Sequence, residues 1–175
     1  MALVTRRRFQ KTAVGQRGQA LLEILPVVTL LLIVTFGVIE FSHAIWEIQV
    51  INGLTREGSN LASRNTALPA AATAVINDGT VLNLATNGEV ILTAVQNQGG
   101  KLVITGQTSS GNYTASSKVG SGVGNGATLP ATGTGIPLNG TVYVTEVFNQ
   151  YSPITPLGSY VNLTLPSTLY DAAYF

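Results

Sequence analysis

The chain has 175 residues, no cysteine, a single histidine and only 10% charged side chains, which excludes disulfide cross-links, thiolate chemistry and a metal centre built from several Cys or His ligands. Its net charge of +1 excludes a broadly basic, nucleic-acid-binding surface. That charge is unevenly placed: Arg6, Arg7, Arg8, Lys11 and Arg17 put five basic residues ahead of Gly18 with no acid among them, leaving four basic and eight acidic side chains beyond it.

From Ile24 to Ile39 no residue is charged. Ile24 to Trp46 supplies the roughly 20 helical residues that cross a bilayer core of about 30 Å, provided Glu40 is accommodated near the outer edge. A charge at mid-membrane costs about 2.5 to 3.5 kcal/mol on insertion scales and less toward the ends, where Glu23 and Glu40 fall. Glu40, His43 and Trp46 are then membrane-interface residues, with the indole as an aromatic anchor. The positive-inside rule keeps the basic tip cytoplasmic and exports the rest. A removed secretory signal peptide is one competing reading, with Ser42-His43-Ala44 as its small-x-small site, but its apolar region would run about 7 to 15 residues and this one is longer. An uncut signal anchor is the other.

Past the membrane, Ile48, Ile51, Leu54, Gly58, Leu61 and Ala62 recur at three- and four-residue steps up to Arg64, predicting an amphipathic extension with a narrow apolar face. Continuous from Gln19 to Arg64, such a helix is about 70 Å long at 1.5 Å per residue. Pro26 lies near its start, and Gly53 and Gly58 each weaken it by about 1 kcal/mol relative to alanine, so a bent or partly melted helix competes with a straight one. Pro69 then punctuates the chain, Ala70 to Asn77 predicts a short second helix, and Asn77-Asp78-Gly79 stops it.

Glu89 to Val95 and Leu102 to Thr108 predict two strands joined by a turn at Gln98-Gly99-Gly100-Lys101. Ser109 to Gly140, rich in Gly, Ser and Thr, has the composition of a mobile or partner-dependent excursion. Thr141 to Tyr151 and Tyr160 to Leu165 alternate as two further strands, separated by a proline-fixed bend at Ser152 to Gly158, and Ser167 to Phe175 forms an aromatic tail. The roughly 110 residues after Arg64 suffice for one small core.

Catalytic chemistry has little to work with. His43 is alone at the membrane exit, and a Ser-His-Asp arrangement would have to recruit it there. Asp78, Glu89, Glu146 and Asp171 are widely spaced and read as solvated surface charges. Gly120 to Gly126 fits no phosphate-cradling spacing, and Arg56, Arg64, Lys101 and Lys118 are too scattered for a phosphate stripe. The Asn-x-Thr triplets at Asn112, Asn139 and Asn162 arise readily in so Thr-rich a chain.

The layout of a basic leader, Gly18, a glutamate five residues on at Glu23 and a membrane-length apolar helix resembles the N-terminus of type IV pilin-like proteins, and specifically the TadE-like minor pilins of the Tad (tight adherence) pilus. Gly37-Val38-Ile39-Glu40-Phe41 matches the Gly-x-x-Glu-Phe near the end of that family's apolar helix. Arg56-Glu57-Gly58 and the strand leading into a Tyr/Pro-rich bend over Val142 to Pro156 are similar too. Pro26, only three residues after Glu23, and Ile24 in place of an aromatic depart from the pattern.

The resemblance implies a pilin-like α+β fold: a basic prepilin leader over 1–18, a transmembrane helix over 19–46, an amphipathic extension over 47–68 packed on a small antiparallel β-sheet, and an exported domain over 69–175. It implies cleavage between Gly18 and Gln19 by a prepilin peptidase. The new α-amino group, with a reference pKa of about 7.7 to 8.0, would lie about one turn from Glu23, and the family's glutamate pairs with a neighbouring subunit's amine. The protein would be a single-pass subunit of the bacterial cytoplasmic membrane, structural rather than enzymatic, with no cofactor, nucleic acid or small-molecule substrate. Its partners would be other pilins or pseudopilins, and its task the priming or capping of a Tad-type pilus for adhesion and biofilm formation. A pseudopilin of a related secretion system and a membrane-anchored ectodomain with binding or enzymatic activity are the alternatives.

Overall fold

The computed structural model describes residues 13–129, 135–156, 158 and 165–175, with side chains from Leu22 onward. Helix α1 runs unbroken over Ala13–Ser63 and passes through Pro26 without ending. Within the apolar stretch the hydroxyls of Thr29 and Thr35 donate to the carbonyls of Leu25 and Leu31, each at 2.8 Å. Both hydroxyls thus find a partner inside the helix, as an apolar surrounding requires. The two glycines do not melt the outer half. Asn65, in the left-handed region at φ 65°, ends the helix, and the Thr66 amide bonds back to the Leu61 carbonyl.

Helix α2 spans Leu68–Asp78, with Pro69 in its first turn, where the missing N–H removes no helical bond. A 3₁₀ turn over Gly79–Leu82 and the one-turn α3 at Leu84–Asn87 lead into the sheet. Strand β1 covers Gly88–Gln98 and β2 covers Lys101–Gly111. They form a hairpin whose two turn residues, Gly99 (φ 62°) and Gly100 (φ 86°), both need the left-handed backbone that glycine adopts freely. Strand β3 is Thr141–Gln150 and β4 is Thr168–Tyr174. The four make one antiparallel sheet in the order β2-β1-β3-β4, with a bulge between Ala94 and Val95.

One face of the sheet receives the outer half of α1, along β3 and β4, and α2, along β1 and β2. Val90, Leu92 and Val147 meet Ile51, Leu54, Ala62, Ala72 and Val75 there in the main core. The other face carries Val95 and Val144, covered by Val119, Leu129 and Ala127 from the chain between β2 and β3. Strand β1 is therefore buried on both faces over its first eight residues, and its apolar residues Val90, Ile91 and Leu92 follow one another rather than alternating with polar ones.

Three expectations need correction. The Gly/Ser/Thr-rich segment is not a mobile excursion over its described part: 109–111 belong to β2, and 113–129 close the second face of the sheet. The tail is not a tail but the fourth strand, β4. Ile48, placed on the apolar face of the helix, is exposed; Ile51, Leu54, Gly58 and Ala62 of that face are buried as expected, and Glu40, Ala44, Glu47, Thr55 and Ser59 pack with them. The strand expected over Tyr160 to Leu165 lies outside the described residues except at Leu165.

Candidate functional site

Two regions of α1 carry the residues singled out above. Gly18 and Gln19 lie on its backbone, and their side chains are outside the described part. Residues 1–12, with Arg6, Arg7, Arg8 and Lys11, are outside the described part altogether. Glu23 is exposed at the start of the apolar stretch. From Leu22 to Val34 almost every side chain is exposed, Leu22, Leu25, Leu30 and Leu31 all by more than half. The helix from Leu22 to Ser63 is long and apolar enough to cross a membrane, and none of its most apolar 18-residue window is buried inside the protein. The helix of a soluble domain ordinarily buries such a surface; among the described residues nothing covers this one.

Where the apolar run ends, the helix meets the sheet in a polar seam. Glu40 is fully buried. One carboxylate oxygen accepts from the Tyr151 hydroxyl at 2.6 Å and the Ile154 amide at 3.1 Å, and the other accepts from the Thr155 amide at 3.0 Å. An unpaired buried carboxylate is heavily penalised, but three hydrogen bonds to a charged acceptor offset much of that. Pro153, flanking the bend, has no N–H and a fixed φ, which helps to aim the next two amides inward. Two turns further along α1, Glu47 accepts from the Asn149 side chain at 3.3 Å and lies 3.5 Å from His43 Nδ1, an electrostatic contact rather than a hydrogen bond. The His43 ring stacks obliquely between Trp46 at 5.7 Å and Tyr151 at 6.2 Å.

The electrostatics follow from this crowding. Burial pushes the Glu47 carboxyl above its ordinary range; His43 and Asn149 oppose the rise and the charge of Glu40 adds to it. Burial and then the bond to Glu40 hold the Tyr151 phenol far above the usual tyrosine value, so it remains a donor at any physiological pH. Of the sequence-derived interface residues, Glu40 and His43 thus enter one seam with the sheet, while Trp46 keeps nearly half its surface exposed. Glu47, Asn149 and Tyr151 belong to the same seam and were not picked out in sequence. The signal that could have found them is the Tyr/Pro-rich bend straight after β3, which is where a chain reversing against a helix must put amides.

The carboxylates beyond α1 are not solvated surface charges as a group. Glu146 is fully buried, accepting from the Lys118 amide at 2.8 Å, the Tyr170 hydroxyl at 3.0 Å and the Ser117 hydroxyl. Glu89 is buried and accepts from the Ala115 amide. Asp171 accepts from Thr55 on α1 at 2.6 Å. Asp78 alone of the four is exposed. The first two are staples that hold segment 113–129 onto the sheet, and the third ties β4 to the helix. Lys118 in turn sits 3.4 Å above the Tyr170 ring, a cation–π contact. Among the described residues no group of three His, Asp or Glu side chains has the arrangement of a metal site.

Comparison with known proteins gives no match to any family model, curated protein or solved structure.

Proposed function

We propose that this protein is a structural, pilin-like subunit: α1 sits in the cytoplasmic membrane, a prepilin peptidase trims the chain between Gly18 and Gln19, and the product primes or caps a Tad-type pilus as a TadE-like minor pilin. The observation that carries the reading is the two-part use of one unbroken helix. From Leu22 to Thr35 its side chains are all exposed and, Glu23 apart, nearly all apolar, and its outer half is the backbone of a small α+β domain. A subunit of that shape can exchange lipid for the helices of neighbours while its domain stays folded. The Gly18/Glu23 spacing behind five basic residues supports the same reading, with Glu23 pairing to the amine of a neighbouring subunit in an otherwise apolar surrounding.

N-terminal sequencing and intact mass of membrane-extracted protein test it. A mature chain beginning at Gln19 is expected. An intact Met1 would make α1 a plain anchor, and a terminus at Ile45 would make it a removed signal peptide; either refutes the proposal. Glu23→Gln should then leave membrane insertion intact while lowering recovery with co-expressed pilins, and unchanged recovery refutes the pairing.

A further inference from the structure

The two edges of the sheet are treated differently. At the β2 edge the chain itself returns: Gly126 bridges Val103, and the Ile104 and Ala127 amides bond to the carbonyls of Asn125 and Leu102. At the β4 edge nothing among the described residues does so. Phe175 exchanges both of its backbone bonds with Tyr143 of the β3 side, at 3.0 and 2.7 Å. By the alternation of an antiparallel ladder, Ala173, Asp171 and Leu169 also face β3, which leaves the N–H and C=O groups of Thr168, Tyr170, Ala172 and Tyr174 pointing away from the sheet. Exposed edges are ordinarily blunted by lysine, proline or an inward charge. Strand β4 has no lysine or proline, and its single charge, the inward Asp171, is already met by the Thr55 hydroxyl, so no uncompensated charge guards the edge.

Grooves flank this edge on both sides. Toward segment 113–129 lies a cavity of about 520 Å³ lined by Lys118, Val119, Leu129, Tyr170 and Tyr174. Toward α1 lies one of about 400 Å³ lined by Asn52, Arg56, Asp171 and Phe175. Arg56 is exposed and has no ion pair among the described residues.

We infer that β4 is a strand-acceptor edge: an extended segment of a partner protein adds to the sheet as a fifth strand, placing apolar side chains in the Val119/Leu129/Tyr170 groove and an acidic side chain opposite Arg56. The backbone supplies the affinity and the two grooves the alternating specificity, which is the logic of β-augmentation. A second copy pairing antiparallel through its own β4 is the wrong donor. Antiparallel pairing of two β4 edges has its two-fold axis normal to the sheet, and α1 lies against the sheet face, so the two helices would run in opposite directions and could not enter one bilayer the same way round. This choice of donor, though not the open edge itself, rests on reading α1 as a membrane anchor.

The test uses the full chain in lipid nanodiscs and a peptide alternating valine with glutamate. Expected are saturable binding, slowed hydrogen exchange at the amides of Thr168, Tyr170, Ala172 and Tyr174, and weaker binding by a peptide alternating valine with lysine. Ala172→Pro removes one outward N–H without touching the β3 ladder and should weaken binding by about tenfold, the equivalent of roughly 1.4 kcal/mol. Methylating alternate amides of the peptide removes the same bonds with the protein unaltered, and should abolish binding in one of the two possible phases. No protection at the four amides, equal binding of both methylated peptides, or a dimer in nanodiscs that protects those amides by itself would each overturn the inference. None of these outcomes depends on where the N-terminus is cut.

Discussion

Gly53 and Gly58 lie five residues apart on α1, and alanine should stabilise at the first and not at the second. A Cβ at Gly53 meets nothing within 4 Å, so Gly53→Ala should gain the full helix-propensity difference of about 1 kcal/mol. At Gly58 a Cβ would lie 2.7 Å from Thr145 Cγ2, 2.8 Å from Thr145 Oγ1 and 3.0 Å from Val75 Cγ2. The same propensity gain is there opposed by overpacking, which costs about 1 to 3 kcal/mol. Thr145 cannot simply swing aside, because the Ser59 hydroxyl bonds to its Oγ1 at 2.9 Å and accepts from its amide at 3.0 Å. Gly58→Ala should therefore be neutral to destabilising by about 2 kcal/mol, placing the two variants about 1 to 3 kcal/mol apart. For a chain of this size each kcal/mol moves the midpoint by about 2 to 4 °C. Thermal and denaturant unfolding in detergent micelles, followed by tryptophan fluorescence and circular dichroism, would read the difference. Equal stabilisation by both alanines would refute the close approach of the helix to β3.

Two further perturbations probe the seam. Glu40→Gln preserves the shape but leaves one acceptor oxygen where the carboxylate has two, so part of the Tyr151, Ile154 and Thr155 donor set faces an amide nitrogen that cannot accept; it should speed hydrogen exchange at Ile154 and Thr155 with a loss of about 1 to 3 kcal/mol, and unchanged exchange would mean the bend is held by other contacts. Glu47, whose carboxyl is raised in the folded protein by burial, binds its proton more tightly folded than unfolded. Stability should fall as pH rises from the ordinary glutamate range through the raised folded value, and the penalty is complete above it. Glu47→Gln should flatten that part of the stability–pH curve while Glu40, His43 and Asn149 remain in place; a slope of the same size in the variant would assign it to another group.

Local signals were legible along the chain. The apolar run with its extension, the second helix behind Pro69 and the Gly99-Gly100 hairpin all depend on residues within a few positions of each other, and each was found within a few residues of its expected place. What escaped depends on distant partners. Strand β4 places Asp171 on its inner face, which breaks the apolar alternation; only the Thr55 hydroxyl, 116 positions away, makes that carboxylate acceptable inside. Segment 113–129 has a linker's composition because its anchors are main-chain amides at Ala115 and Lys118, and the groups they bond belong to β1 and β3. In the seam, Glu40 was legible as a charge at the end of an apolar run, whereas its acceptance by Tyr151 and two amides after β3 was not.

The Glu40 contact also sets an altitude. The bend at 151–156 closes on the last turn of the apolar run, so no stalk separates the folded domain from the bilayer that α1 would occupy. From Glu40 to Ser63 the helix rises about 35 Å, and the sheet lies alongside it rather than beyond it. A partner that binds along this stretch of α1 then works within about 35 Å of the lipid surface the helix would meet, which favours partners held in the same membrane over those diffusing freely outside it.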